Sequence, residues 1–270
     1  HAYSALITNQ WAKQLGGQWL LRIEDIDVAR SRPEFINAIF EDLGWLGLIW
    51  PQPVLRQSTR FDAYNTAADM LDTMNLLYPC FCSRAQIRAN ATTKRDPDGT
   101  PLYPGTCKHL SKREVIQRLK QNQPVQYRLD MEKAVAKAGM LTFTTAQPTP
   151  MDRPQITYAR PARWGDVVIR RKGILTSYHL AVVVDDAKQN ITHVTRGRDL
   201  QAATDIHILL QFLLGLPAPV YSFHKLILDD EAAKLSKSKG ATSLRALREA
   251  GWTPNDVRAH LGFQTISGQI

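Results

Sequence analysis

Lys234-Leu235-Ser236-Lys237-Ser238 sets two lysines three residues apart on a polar loop flanked by Asp229, Asp230, Glu231 and Gly240. Lysine is a compact positive charge on a flexible stem, so the pair can clamp a polyphosphate and neutralise charge that builds at phosphorus. A solvated basic turn is the plain alternative. Glu24, in Glu24-Asp25-Ile26-Asp27, offers a carboxylate to a cation, or belongs to an acidic loop that caps the next helix. Arg196 carries a planar guanidinium that matches a carboxylate in two-point contact, or lies on the surface. Tyr178 heads an apolar run and is either core or a pocket wall. Cys80, Cys82 and Cys107 are the three cysteines, an odd number that argues against a disulfide framework. Thiolates with intervening turns can assemble a tetrahedral zinc site, but three leave the fourth ligand undefined, and the residues alone slightly favour buried free thiols. His109, two residues beyond Cys107, is the obvious fourth candidate.

The elements that must position these groups are legible from pattern. Residues 4–15 read as a helix stopped by Gly16-Gly17, and 19–23 as a strand entering a sheet. Strand, phosphate-facing turn and crossover helix make the mononucleotide-binding half of a doubly wound fold, with ligands beyond the strands' carboxyl ends, where Glu24 falls. Ser31 and Pro33 open a second helix with Phe35, Ile36, Ile39, Phe40 and Leu43 as its core face. Ser58 is expected to cap a third, with Phe61, Tyr64, Ala68, Leu71 and Met74 as its packing stripe. The Arg84–Pro101 linker, rich in Asn, Thr, Asp, Pro and Gly, reads as mobile. Residues 111–121 form a basic amphipathic helix, and 125–129 a strand. From Gly165 the pattern is β: Asp166 to Arg170, a turn at Lys172-Gly173, and the apolar run to Val184. Residues 201–214 form a helix broken by Pro217 and Pro219. Two short helices follow, 243–250 and 254–261, the second capped by Thr253. His179, His193, His207, His224 and His260 read as structural.

At 270 residues with 44% hydrophobic content, the chain can bury a full core as one large domain, or one domain with an insertion. The longest apolar candidate, Ile208 to Leu216, is interrupted by Gln211 and falls short of the roughly 20 residues a membrane span needs. The start does not read as a signal peptide, so the cytoplasm is the expected location. The net charge is +9. From Cys80 to Arg128 ten basic residues face three acidic ones, net +7, a footprint for a polyanion and most simply for nucleic acid.

His1-Ala2-Tyr3-Ser4-Ala5-Leu6 resembles the tail of the His-x-Gly-His signature of class I aminoacyl-tRNA synthetases, with Lys234 to Ser238 as its partner motif. Leu21 to Asp27 with Ala29-Arg30, Ser177 to Asp186, and Ile191 to Asp199 match the glutamyl branch in the same order. The resemblance covers nearly all of residues 1–238, and its sharpest form is the short glutamyl-Q tRNA(Asp) synthetases, paralogues of glutamyl-tRNA synthetase without an anticodon-binding domain. Only 31 residues follow Lys239, too few for such a domain. The chain opens at His1, so the family's first strand and first motif histidine are expected ahead of it.

The resemblance implies an α/β fold: a doubly wound Rossmann-type nucleotide-binding domain of a class I synthetase, with an inserted zinc-bearing module and a short helical C-terminal segment. The expected division is 1–79, 80–130, 131–240 and 241–270, the insert being 80–130. It implies ATP with Mg2+, L-glutamate, and tRNA(Asp) carrying queuosine as partners, no membrane, and a monomer. By the same resemblance Lys237 and His1 meet the ATP phosphates and Lys234 closes the loop. Glu24 holds the substrate ammonium, Tyr178 lines the glutamate pocket, and Arg196 binds the substrate side chain. One structural Zn2+ would be held by Cys80, Cys82, Tyr103 and Cys107. A catalytic domain of an ordinary glutamyl-tRNA synthetase, and a zinc-bearing tRNA-binding relic without chemistry, stay open as alternatives.

Overall fold

A computed structural model describes residues 2–90, 93–147, 153–227 and 243–265. Helix α1 (Ala2–Gln14) buries Leu6 and Trp11 and leads to the short strand β1 (Arg22–Ile23), which pairs in parallel with β2 (Leu55–Arg56). The strand expected over 19–23 is therefore shorter; Trp19 instead joins a cluster with Leu6, Leu43 and Leu46. Helix α2 (Pro33–Trp45) has Pro at its first turn, where the missing N–H costs nothing. It buries Ile36 and Leu43, but Phe35 and Ile39 are exposed, so its core face is narrower than the pattern implied.

Helix α3 (Phe61–Thr73) carries the expected stripe: Tyr64, Ala68 and Leu71 are buried, with Phe61 and Met74 packed against them. Its cap is not Ser58. Arg60 holds that position, while the Ser58 N–H and hydroxyl both donate to Asp25 at 2.8 Å. Strand β3 (Leu77–Cys80) leads into the insert. There the linker is partly regular: α4 (Arg84–Ala89) has a full capping box from Ser83 and Gln86, and Arg95 bridges Pro101. Helix α5 (Lys112–Lys120), capped by Ser111 and Glu114, buries none of its residues, as a basic surface helix should. Strand β4 (Gln126–Leu129) then pairs antiparallel with β3, closing the insert at its base.

Helix α6 (Met131–Ala138), capped by Asp130, precedes β5 (Thr142–Thr145) and β6 (Gln155–Tyr158), an antiparallel pair. Strand β7 (Val168–Arg170) adds to β4. The apolar run that follows is not a strand. It forms helix α7 (Tyr178–Lys188), capped by the Ser177 hydroxyl, with Leu180, Ala181, Val182, Val183, Asp185 and Asp186 all buried. A helix enclosed on most sides loses its amphipathic period, and a continuous apolar run then reads equally as strand.

Strand β8 (His193–Gly197), helix α8 (Thr204–Leu214) and strand β9 (Val220–His224) make a βαβ unit: β8 and β9 pair in parallel, and the sheet order is β6-β5-β9-β8. Helix α8 starts at Thr204 rather than 201, after a 3₁₀ turn, and Gly215 closes it in the left-handed conformation at φ 65°. Helix α1 lies on β8, where Thr8 and Thr195 share a hydroxyl hydrogen bond and Trp11 meets His193 edge to face at 4.9 Å. The main core joins α3, α6, α7 and α8 through residues such as Leu71, Ala134, Leu180 and Leu209. Helices α9 (Leu244–Glu249) and α10 (Pro254–His260) follow; Thr253 caps α10 as expected, Ser243 caps α9 rather than opening it, and Val257 packs on the α1–α2 cluster. Among the described residues no helix is long and apolar enough to cross a membrane.

Candidate active site

Parallel strands present their carboxyl ends to ligands, and the groups singled out in the sequence collect there. Glu24 follows β1, Tyr178 is the first residue of α7, and Arg196 lies in β8. Burial pushes the Tyr178 hydroxyl up from its ordinary range; Arg196 and Arg22 oppose the shift, while Glu24 and Asp186 add to it. These five side chains therefore share one electrostatic neighbourhood. His1, Lys234 and Lys237 lie outside the described residues.

Arg196 is not a surface arginine: it is 5% exposed. Its Nη1 donates to Nδ1 of His207 at 2.8 Å, and its guanidinium carbon stands 4.9 Å from the centre of the Tyr221 ring. Among the described residues it forms no ion pair. The nearest buried carboxylates on α7 are committed elsewhere: Asp186 pairs with Arg22 at 2.8 Å and Asp185 with Arg60 at 2.6 Å. Asp186 feels the Arg196 charge through space without pairing with it, and a buried cation with no direct partner is costly, so this one suits an anionic ligand.

Glu24 is partly exposed, with its side chain at 39%, and accepts from Nη2 of Arg22 at 3.2 Å. Burial works against the Arg22 charge, and Asp186 with Glu24 outweighs it, so Arg22 stays cationic and ties Glu24 to α7. Glu24 keeps an open side for a cation. Asp25 does not cap α2; it is buried and accepts from Ser58 and from Arg56 Nε at 3.2 Å. Asp27 is 3.7 Å from Arg30.

His207 and His179, expected to be structural, both reach the site. His207 is fully buried, and its Nε2 lies 3.1 Å from Nδ1 of His179. Burial, then Arg196, brings His179 down to about 4, and the same causes hold His207 well below its ordinary value. Both rings are neutral at pH 7. Arg22 and Asp186 were also missed as site groups. Their only signal was membership of matched stretches, because their pairing spans separate elements.

The insert holds a second cluster. The sulfurs of Cys80, Cys82 and Cys107 lie within 4.8 Å of one another, and Cys82 and Cys107 are 3.5 Å apart. Tetrahedral zinc at about 2.3 Å from each thiolate sets sulfurs about 3.8 Å apart, so the three fit one ion. The Tyr103 hydroxyl is 3.6 Å from Cys82 Sγ and accepts from the Cys107 N–H at 2.8 Å, beside the three sulfurs. His109 is exposed and not part of the cluster. Burial raises the Cys80 thiol, but contacts from Tyr103, Gln126 and Arg128 outweigh it and bring it down to about 7. The donor set fits a structural zinc, which when bound supplies a cross-link for a module whose own core is little more than Cys80, Phe81 and Cys107.

Of the ten basic residues of the insert, two are turned inward. Lys108 pairs with Asp130 at 2.7 Å, and Arg128 stacks on the Tyr103 ring at 3.9 Å while donating to the Asp166 carbonyl. Arg84, Arg88, Arg95, Lys112, Arg113 and Lys120 are exposed and remain a basic surface.

The family model for class I tRNA synthetases (E and Q), catalytic domain, matches residues 1–267. A glutamyl-Q tRNA(Asp) synthetase of Rhodobacter capsulatus is 42% identical over 97% of this chain and 94% of its own length. One from Symbiobacterium thermophilum is 38% identical over 100% of this chain and 82% of its own. A solved glutamate tRNA ligase from Elizabethkingia meningosepticum, in complex with its amino acid, superposes with a TM-score of 0.72 at 22% identity, over 96% of this chain and 56% of that one. At that identity the likeness concerns the fold.

Proposed function

The chain belongs to the glutamyl-Q tRNA(Asp) synthetase family of class I tRNA synthetases, and on that premise we propose that it activates L-glutamate with ATP and transfers it to the queuosine base of tRNA(Asp). The glutamate α-carboxylate attacks the α-phosphorus of ATP, and pyrophosphate leaves. A hydroxyl of the RNA then attacks the glutamyl-adenylate carbonyl, loses its proton, and AMP departs. Magnesium accompanies the ATP phosphates. Little covalent work falls to the protein, whose part is positioning and charge stabilisation.

One observation supports the substrate most directly: the buried Arg196, without a carboxylate partner among the described residues, beside Tyr178. In this reading Arg196 binds the side-chain carboxylate of glutamate, Tyr178 walls the pocket, and Glu24 takes the ammonium. Lys237 and His1 serve the phosphates and Lys234 closes the loop. Cys80, Cys82, Tyr103 and Cys107 hold the structural zinc. The division into 1–79, 80–130, 131–240 and 241–270 belongs to the same reading; β3 and β4, which pair side by side, support an insert that leaves and re-enters at one place. We assign the protein to the cytoplasm, where its ATP and tRNA are.

The test is transfer of labelled glutamate by the full-length protein to tRNA(Asp) with and without queuosine, with tRNA(Glu) in parallel. Labelling of only the queuosine-bearing tRNA is expected. Labelling of tRNA(Glu) instead would replace this reading with that of an ordinary glutamate ligase, and no labelling of either would favour a relic.

A further inference from the structure

Resting on the assignment of Arg196 to the glutamate side chain, we infer that His207 is a positioning residue for Arg196, a neutral acceptor that orients the guanidinium without cancelling its charge, and that His179 fixes the tautomer this requires. A guanidinium has donors and no acceptor. In the 2.8 Å contact between Arg196 Nη1 and His207 Nδ1, the imidazole nitrogen must therefore accept. The ring proton of His207 then sits on Nε2, which donates to His179 Nδ1 at 3.1 Å. His179 in turn carries its own proton on Nε2. The chain of donors runs one way, from Arg196 through α8 to α7.

The chemistry of the acceptor matters for selectivity. Arginines are most often oriented by carboxylates, and a carboxylate here would form an ion pair with net charge near zero. Glutamate would then meet a neutralised site and lose its advantage over glutamine, its uncharged isostere. Imidazole holds the fork in place and leaves the positive charge for the ligand. The Tyr221 ring, 4.9 Å from the guanidinium carbon, flanks the cation without an anion of its own. Specificity of this kind is a difference between two binding free energies, which a neutral orienting group preserves and an anionic one reduces.

The experiment is glutamate- and glutamine-dependent ATP–pyrophosphate exchange in the full-length protein with His207→Ala, His207→Asn and His207→Asp. Asparagine keeps an acceptor near the Nδ1 position. Loss of a hydrogen bond to a charged group corresponds to about 10-fold or more, so His207→Ala should raise the glutamate KM by about 10-fold, with kcat changed far less. His207→Asn should restore most of that loss, and His207→Asp should lower the preference for glutamate over glutamine about 10-fold. Equal damage in the Ala and Asn variants, or an unchanged preference in the Asp variant, would overturn the inference. Arg196→Gln separates the two levels. If it leaves the glutamate KM unchanged, the assignment of Arg196 itself fails; if it raises KM while the His207 variants are silent, only the positioning role fails. Should the variants not fold, long-range 15N–1H NMR on the wild-type protein at pH 7 reads the same point. A neutral His207 protonated on Nε2 is expected, and an imidazolium or the Nδ1–H tautomer would refute it.

Discussion

The buried Tyr64 hydroxyl donates to Oδ2 of Asp185 at 2.7 Å. Asp185 is fully buried and also receives Gln57 Nε2 at 3.0 Å and Arg60 Nε at 2.6 Å, so one carboxylate ties α3 and its preceding turn to α7. Tyr64→Phe should cost about 1–3 kcal/mol, the penalty for leaving a buried acceptor short of one partner. Asp185→Ala should cost about 3–5 kcal/mol, because it strands Arg60 and the Tyr64 hydroxyl together. Urea unfolding of the two variants decides this, and a near-wild-type Asp185→Ala midpoint would refute the hub.

Stability should fall as the medium is acidified between about pH 6.5 and 4. The unfolded chain protonates His179 near 6.5, whereas the native state, where burial and then Arg196 lower it to about 4, stays neutral through that window. The unfolded state thus binds the extra proton, and stability present above pH 6.5 is lost on the way to pH 4, on the order of 3 kcal/mol from this group. His207 shifts in the same direction and steepens the loss. Denaturation curves across this range should be shallower in pH for His179→Gln than for wild type; identical slopes would count against a buried neutral ring.

Purified protein should contain one zinc per chain by elemental analysis. Cys82→Ser or Cys107→Ser should abolish it and open the 80–130 region to proteolysis, because the insert's own apolar cluster is small. Tyr103→Phe should weaken zinc retention against a chelator, whereas His109→Ala, at an exposed position, should not. The reverse ranking would make His109 the fourth ligand.

Lys237→Ala should reduce adenylate formation by about 10²–10³, the usual effect of removing one preorganised electrostatic contact. Its thermal stability should match wild type. A melting point several degrees lower would mean that the lysine holds the fold as well as the phosphates.

Arg196→Lys should raise the glutamate KM more than its conserved charge suggests. Lysine cannot reproduce the planar fork that meets a carboxylate with one edge and His207 with another. Exchange kinetics at varied glutamate would show it, and an unchanged KM would remove Arg196 from the pocket.

The sequence by itself determined what depends on near neighbours. Thr253, Ser243 and Ser111 start helices because a hydroxyl reaches an N–H three residues on. Cys80, Cys82 and Cys107, with Tyr103, were nameable as one candidate cluster, and the ordered stretches around Glu24, Tyr178 and Arg196 carried the family. Tertiary structure decided what depends on distant ones. Ser58 does not cap α3 because Asp25, 33 residues earlier, takes its N–H and hydroxyl. The run to Val184 is a helix that read as strand because neighbours enclose it on most sides, which erases the polar period that marks a surface helix. Arg196 became a buried cation, and His207 its acceptor, only when the fold brought β8 and the start of α8 together: burial and hydrogen-bond partnership belong to pairs of elements, and no single stretch of chain encodes them.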